Sequence, residues 1–176
     1  MMSHPFKTRS RFTTVLLASA LAAPLAFGHG GASDHDHDPT MNQHVIDDDL
    51  VTGGHFVDNG LEVLAEEGVK VVIDLRDDPP EGQEQKLAAA GMKWVNIPVS
   101  FQDPKPEDYA AFAAAMDAHT AEKVLVQCQA NYRASAMTYL YRVNELGVSQ
   151  RKARKDLNAV WQPGGTWGDY LEAMTD

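Results

Sequence analysis

Two short runs of branched apolar residues limit what this chain can fold into more than any other feature. Val69 to Leu75 is almost continuously apolar, with Val71-Val72-Ile73 at its centre, and Val124-Leu125-Val126 repeats the pattern. A strand with one wet face alternates polar and apolar residues; one without alternation is buried on both faces, as in a parallel sheet covered by helices. Trp94 to Val99 reads as a further strand. Helical segments fall between them. Asn59 to Glu67 carries Leu61, Val63 and Leu64 on its apolar side and is closed by Gly68, and Glu81 to Ala90 is ended by Gly91. Pro106 opens a third helix, with Glu107 and Asp108 in its first turn and Tyr109 to His119 continuing it. Three more follow: Ala134 to Leu146, Ser149 to Ala159 with Ser149 as N-cap, and Trp167 to Met174. This alternation predicts an α/β fold with a mostly parallel central sheet of about four to five strands flanked by helices. No internal repeat is visible.

The N-terminus has a different character. Lys7, Arg9 and Arg11 form a basic region, Phe12 to Ala26 is a small-residue apolar run, and Ala26-Phe27-Gly28 resembles a cleavage site. Residues 1–28 are therefore expected to be a secretory signal peptide, with cleavage after Ala32 as a second possibility. The apolar run is short for a membrane span and contains Pro24. The expected location is periplasmic or secreted, with no membrane association after cleavage. Loss of the three basic residues would take the formal net charge from −10 to −13, because all 25 acidic residues lie downstream of Gly28. Such an acidic body argues against nucleic acid or anionic membrane as general partners. Residues 29–43 are rich in Gly, His and Asp and are expected to be a disordered leader, which leaves one domain over 44–176. Asp34-His35-Asp36-His37-Asp38 offers ligands to Zn, Ni or Cu, although a solvated acidic linker accounts for it equally well.

Cys128 is the only cysteine, so no intramolecular disulfide is possible, and in an exported protein a leftover thiol points to reactivity or an intermolecular bridge. It ends the Val124–Val126 strand and precedes the helix from Ala134, in the order Cys128-Gln129-Ala130-Asn131-Tyr132-Arg133. Strand, loop and helix place the thiol at the carboxyl edge of the sheet, where α/β folds bind ligands. Unpaired backbone N–H groups and the dipole at a helix N-terminus draw negative charge. Together with Arg133 they lower a thiol's pKa and cradle an oxyanion. A buried cysteine at a strand end is often inert packing, but the spaced arginine and the helix supply the environment a reactive thiol needs. Asp74, Arg76, Asp77 and Asp78 cluster at the end of another strand near the same edge, where Arg76 is expected to pair with a carboxylate rather than touch substrate. Arg151, Lys152, Arg154 and Lys155 form a basic cluster, read as a solvated helix face. His55 reads as a surface residue, and Trp161 and Trp167 as packing for the last helix.

The blocks VKVVIDLR (Val69 to Arg76), WVNIPV (Trp94 to Val99) and VLVQCQANYRAS (Val124 to Ser135) resemble the cysteine-dependent phosphatase superfamily. The nearest likeness is to its bacterial branch, the phosphatase-like domain of beta-lactamase-hydrolase-like proteins, over roughly His44 to Leu146. The resemblance implies a cysteinyl-phosphate intermediate, no metal or other cofactor, and an anionic small molecule or phosphorylated protein as substrate. It makes Cys128 the nucleophile, Arg133 the phosphate-binding arginine and residues 129 to 133 the source of loop amides: Gln129, Ala130, Asn131, Tyr132. Ser135 is a further candidate at the loop. The superfamily's general acid is an Asp on the loop after the strand matching Trp94–Val99, which makes Asp103 the first candidate and Asp108 the second. The chain departs from the pattern in three places. Four residues rather than five separate Cys128 from Arg133, Gln127 replaces the usual His, and no loop glycine is present, leaving Asn131 to adopt a left-handed backbone. Four is also the rhodanese spacing, so a persulfide-carrying sulfurtransferase is the first alternative. An inactive anion-binding or metal-handling module is the second.

Overall fold

The structure is a computed structural model that describes residues 38–175. The expected signal peptide and the tract from Asp34 to His37 lie outside the described residues. Five strands, β1 (His44–Val45), β2 (Leu50–Gly53), β3 (Val71–Asp74), β4 (Lys93–Asn96) and β5 (Val124–Gln127), form one sheet in the order β1-β2-β5-β3-β4. All neighbours are parallel except β1 and β2. The described residues also form six helices: α1 (Gly60–Glu66), α2 (Gln83–Ala89), α3 (Pro106–Asp117), α4 (Tyr132–Asn144), α5 (Gln150–Val160) and α6 (Gly165–Met174). The expected α/β architecture with a mostly parallel sheet is the one observed.

The unbroken apolar runs are explained by the two-residue period of a strand. In β5, Val124 and Val126 face one side and Leu125 the other; in β3, Val71 and Ile73 oppose Val72. Registers Val71↔Val124 and Ile73↔Val126 line these side chains up across the sheet. The larger core packs α3, α4, α5 and α6 on one face, with Phe112, Met137, Leu140, Leu157 and Trp167 all at most 2% exposed. The smaller core packs α1 and α2 on the other through Leu64 and Leu87. Burying each such side chain contributes about 1.5–3 kcal/mol before entropy is counted.

Parallel pairing brings the carboxyl ends of β2, β5, β3 and β4 to one edge, so Gly54, Cys128, Leu75 and Ile97 follow their strands there. The strands β1 and β2 had no clear signature: β1 is two residues long, and only Leu50 and Val51 are apolar in β2. Expected β4 stops at Asn96 instead of Val99, although Ile97 N–H still donates to Asp74 O at 2.9 Å and Val99 N–H to Leu75 O at 3.3 Å. Ser149 sits at the N-cap of α5 as expected, but its side chain makes no capping hydrogen bond. The expected leader also ends earlier than residue 43. Met41 N–H donates to His55 O at 3.0 Å, Gly54 N–H to Met41 O at 2.7 Å and Val57 N–H to Pro39 O at 3.1 Å, so residues 39–41 are tied to the segment after β2.

Candidate active site

Cys128 leaves β5 with its N–H bonded to Gly53 O at 3.1 Å and is 1% exposed. The chain then turns through Asn131, whose φ of 67° and ψ of 0° are left-handed, the role expected of it in place of glycine. Outward bonds hold the turn. Gln129 O accepts from His55 N–H at 3.1 Å and lies 3.0 Å from the His55 Nδ1, while Ala130 O accepts from Asn42 Nδ2 at 3.2 Å. A trans peptide points its N–H opposite to its carbonyl, so anchoring Gln129 O aims the Ala130 N–H away from His55. Among the described residues, no acceptor takes the amides of Gln129, Ala130, Tyr132 or Arg133. The last two are the first helical N–H groups of α4, left unpaired by helix geometry. An open cleft of about 210 Å³ is lined by Phe101, Cys128, Gln129, Ala130, Tyr132 and Arg133. Cys128, the residues bearing the unpaired loop amides and Arg133 therefore line one cleft.

Arg133 is 7% exposed, and its Nη1 donates to Val99 O at 2.6 Å and to Asp77 Oδ1 at 2.8 Å. That hydrogen bond from Arg133 is the main reason the Asp77 carboxyl is held below its ordinary pKa. Nε and Nη2 have no protein acceptor among the described residues, and neither is a sealed-off orphan atom. They form the planar two-donor edge that matches two oxygens of a phosphate.

The remaining candidates fall elsewhere. Asp103 does not line the cleft; its side chain is 68% exposed and pairs with Lys105 Nζ at 2.5 Å. The reason lies just upstream, where Phe101 packs against Tyr132, Trp161 and Trp167 and its carbonyl accepts from Trp167 Nε1 at 2.8 Å, which sends the following residues outward. Asp108 accepts from Lys105 N–H at 2.8 Å and so caps α3. Ser135, expected near the substrate, is also corrected: its hydroxyl donates back to Asn131 O at 2.7 Å, and it faces a gap with His44, Thr138 and Arg142. A helical serine satisfies its hydroxyl on the preceding turn when no stronger partner is in reach. Arg76 pairs with Asp74 through bonds of 2.6, 2.9 and 3.1 Å, with side chains 5% and 0% exposed. Gln127, where the superfamily has His, accepts from Arg76 Nη2 and donates to Gly54 O, buttressing the loop from behind. Within the basic cluster, Arg154 covers the Tyr139 ring at 4.4 Å, and Arg151, Lys152 and Lys155 are exposed; none lines the cleft. Phe101 is the cleft residue that sequence reasoning missed. Its signal was an aromatic in a polar loop, 37% exposed once folded.

No described helix is long and apolar enough to cross a membrane, and the described residues contain no group of three or more His, Cys, Asp or Glu placed to hold a metal. Comparison with curated protein sequences gives no match. Residues 30–166 match the family described as DSP-PTPase phosphatase fused to NAD+ kinase. Among solved structures, a DUF442 protein from Shewanella putrefaciens CN-32 described as a phosphatase is 33% identical, over 77% of this chain and 89% of that one, with a TM-score of 0.66. Two more distant structures share the fold. A mouse protein of the dual-specificity phosphatase type, complexed with zinc tungstate, is 21% identical over 82% of this chain and 91% of its own, with a TM-score of 0.64. The core catalytic domain of the PP-IP phosphatase SIW14 from S. cerevisiae, complexed with citrate, is 14% identical over 78% and 87%, with a TM-score of 0.63. The loop joining β5 to α4, the parallel sheet that presents it and the extent of the match lead to one statement: this chain belongs to the DSP-PTPase family, within the cysteine-dependent phosphatase superfamily.

Proposed function

We propose that this protein is an exported cysteine-dependent phosphatase acting on phosphate monoesters. The observation that carries the reading is that Cys128, the residues bearing the unpaired loop amides, and Arg133, whose Nε and Nη2 have no protein acceptor among the described residues, line one cleft. The Cys128 thiolate attacks phosphorus, the P–O bond to the alcohol breaks, and the departing oxygen takes a proton. Loop amides and Arg133 hold the equatorial oxygens where charge develops. A water oxygen then attacks the cysteinyl-phosphate, the P–S bond breaks, and inorganic phosphate leaves as the thiolate returns. With Asp103 turned to Lys105 and Asp77 held ionised by Arg133, the leaving oxygen draws its proton from water. The preferred esters are therefore those with acidic leaving groups, such as aryl phosphates. Export rests on the basic and apolar pattern of residues 1–28.

The test is a paired assay of the protein and its Cys128→Ser variant, with nitrophenyl phosphate in one arm and thiosulfate with cyanide in the other. Phosphate release that falls by about a thousandfold or more in the variant supports the reading. Thiocyanate formation dependent on Cys128 would replace it with the sulfurtransferase alternative, which has the four-residue loop in its favour. Neither reaction depending on Cys128 would leave an anion-binding module. For export, mass spectrometry of protein from the periplasm or medium should show a new N-terminus near residue 29 or 33; an intact Met1 would overturn it.

A further inference from the structure

Two asparagines with left-handed backbones meet behind the loop: Asn42, with φ of 49°, and Asn131, with φ of 67°. Their side chains bond across to each other's segment. Asn131 Nδ2 donates to Asn42 O at 2.6 Å, and Asn42 Nδ2 donates to Ala130 O at 3.2 Å. Asn131 Nδ2 also donates to Thr52 Oγ1 on β2 at 3.1 Å. The residue is completely buried and its Oδ1 has no partner among the described residues. The orientation of this amide is thus fixed by its donor end alone, since the reversed rotamer would set two oxygens against each other. Asn42 itself is held because residues 39–41 lie across the end of β2, where Gly54 allows the approach; a Cβ there would come within 2.9 Å of Gln129 O and of Met41 O.

We propose that Asn42, Asn131 and Thr52 form a clamp that positions the Cys128 loop for oxyanion binding. In this chain the clamp does from outside what a loop glycine cannot do from within. It pulls the Ala130 carbonyl outward and locks the Asn131 turn, which sets the direction of the neighbouring amides and the start of α4. These are positioning residues, since none of the three lines the cleft. A left-handed turn alone would be served as well by glycine; the buried side-chain bonds are what glycine lacks. The anion part of this inference rests on the phosphatase reading, whereas the control of loop geometry does not.

The test uses the full chain with four variants: Asn131→Gly, Asn42→Ala, Thr52→Val and Thr52→Ser. Sulfate affinity is measured by calorimetry, Cys128 alkylation by iodoacetamide at fixed pH, and folding by circular dichroism. Asn131→Gly keeps the left-handed turn without the clamp and should bind sulfate about tenfold more weakly, the equivalent of one to two hydrogen bonds. Asn42→Ala and Thr52→Val should weaken it in the same direction, and all three should alter the alkylation rate by about threefold or more while remaining folded. Thr52→Ser retains the accepting hydroxyl and should match the wild type. Asn131→Gly equal to the wild type in both measurements would overturn the clamp, as would Thr52→Ser failing as badly as Thr52→Val. Should the wild type bind no sulfate, the phosphatase reading fails on its own. Alkylation rates then decide the clamp: equal rates in wild type and Asn131→Gly overturn it, and unequal rates support it.

Discussion

Two buried arginines stand at the same edge of the sheet and do opposite things. Arg76, after β3, gives Nε and Nη2 to Asp74 and shares Nη2 with Gln127; its side chain is 5% exposed and does not line the Cys128 cleft. Arg133, at the start of α4, commits only Nη1, to Asp77 and Val99 O, leaves Nε and Nη2 without a protein acceptor among the described residues, and lines a cleft together with Cys128. Burial does not distinguish the two, at 4% and 7%. What distinguishes them is saturation. A guanidinium with its planar edge used by a carboxylate supports the scaffold, whereas one with that edge unspent is available to an oxyanion.

The largest effect expected from this contrast is on stability. Arg76→Met leaves Asp74 charged and buried, a loss of about 3–5 kcal/mol in denaturant unfolding. The molecules that remain folded should still bind sulfate. A variant of normal stability that binds no sulfate would exchange the roles of the two arginines. Next in size, Arg133→Lys should reduce sulfate affinity by about 10–100-fold with little change in melting temperature, because an ammonium cannot present two fixed donors. Unchanged affinity would show that the open edge of Arg133 does not receive the anion.

The carboxylates extend the comparison at smaller scale. Asp108→Ala should cost about 1 kcal/mol through loss of the α3 cap, and Asp103→Ala close to nothing, since it and its partner Lys105 are both more than half exposed. Catalysis that collapsed in the Asp103 variant alone would restore its role as general acid. The smallest effect concerns Asp77. Its pKa is lower folded than unfolded, so its contribution to stability is complete above the unfolded carboxyl value of about 3.9. That contribution is lost as pH falls from there through the folded value. With 54% of the side chain exposed, it amounts to less than about 1 kcal/mol. Asp77→Asn should flatten the stability profile below about pH 4 and leave it unchanged near neutrality; an unaltered acid limb would mean that the pair with Arg133 does not persist in solution.

Legibility followed the range of the interactions. The strands β3 and β5 could be read because an apolar run of branched residues has few other uses, and α3 because Pro106 and the acids after it mark a helix start. The Cys128–Arg133 loop could be read because its parts are adjacent in sequence. Asp103 was misplaced because its direction depends on Phe101 docking against Trp161 and Trp167, which lie some 60 residues away in the chain. Residues 39–43 read as leader because Thr40, Met41 and Asn42 carry no periodic signal; the bonds of Met41 and Asn42 run to positions 54, 55, 130 and 131.

By itself, then, the sequence determined the class of fold, the strand-loop-helix unit bearing the thiol, and the left-handed turn at Asn131, since all of these follow from local pattern and backbone preference. Tertiary structure alone decided which arginine keeps donors free, which aspartate meets Arg133, and which distant segment holds the loop. Those outcomes depend on hydrogen bonds between residues up to 89 positions apart. A buried donor or acceptor takes whatever partner packing brings within reach, and no local spacing records that choice.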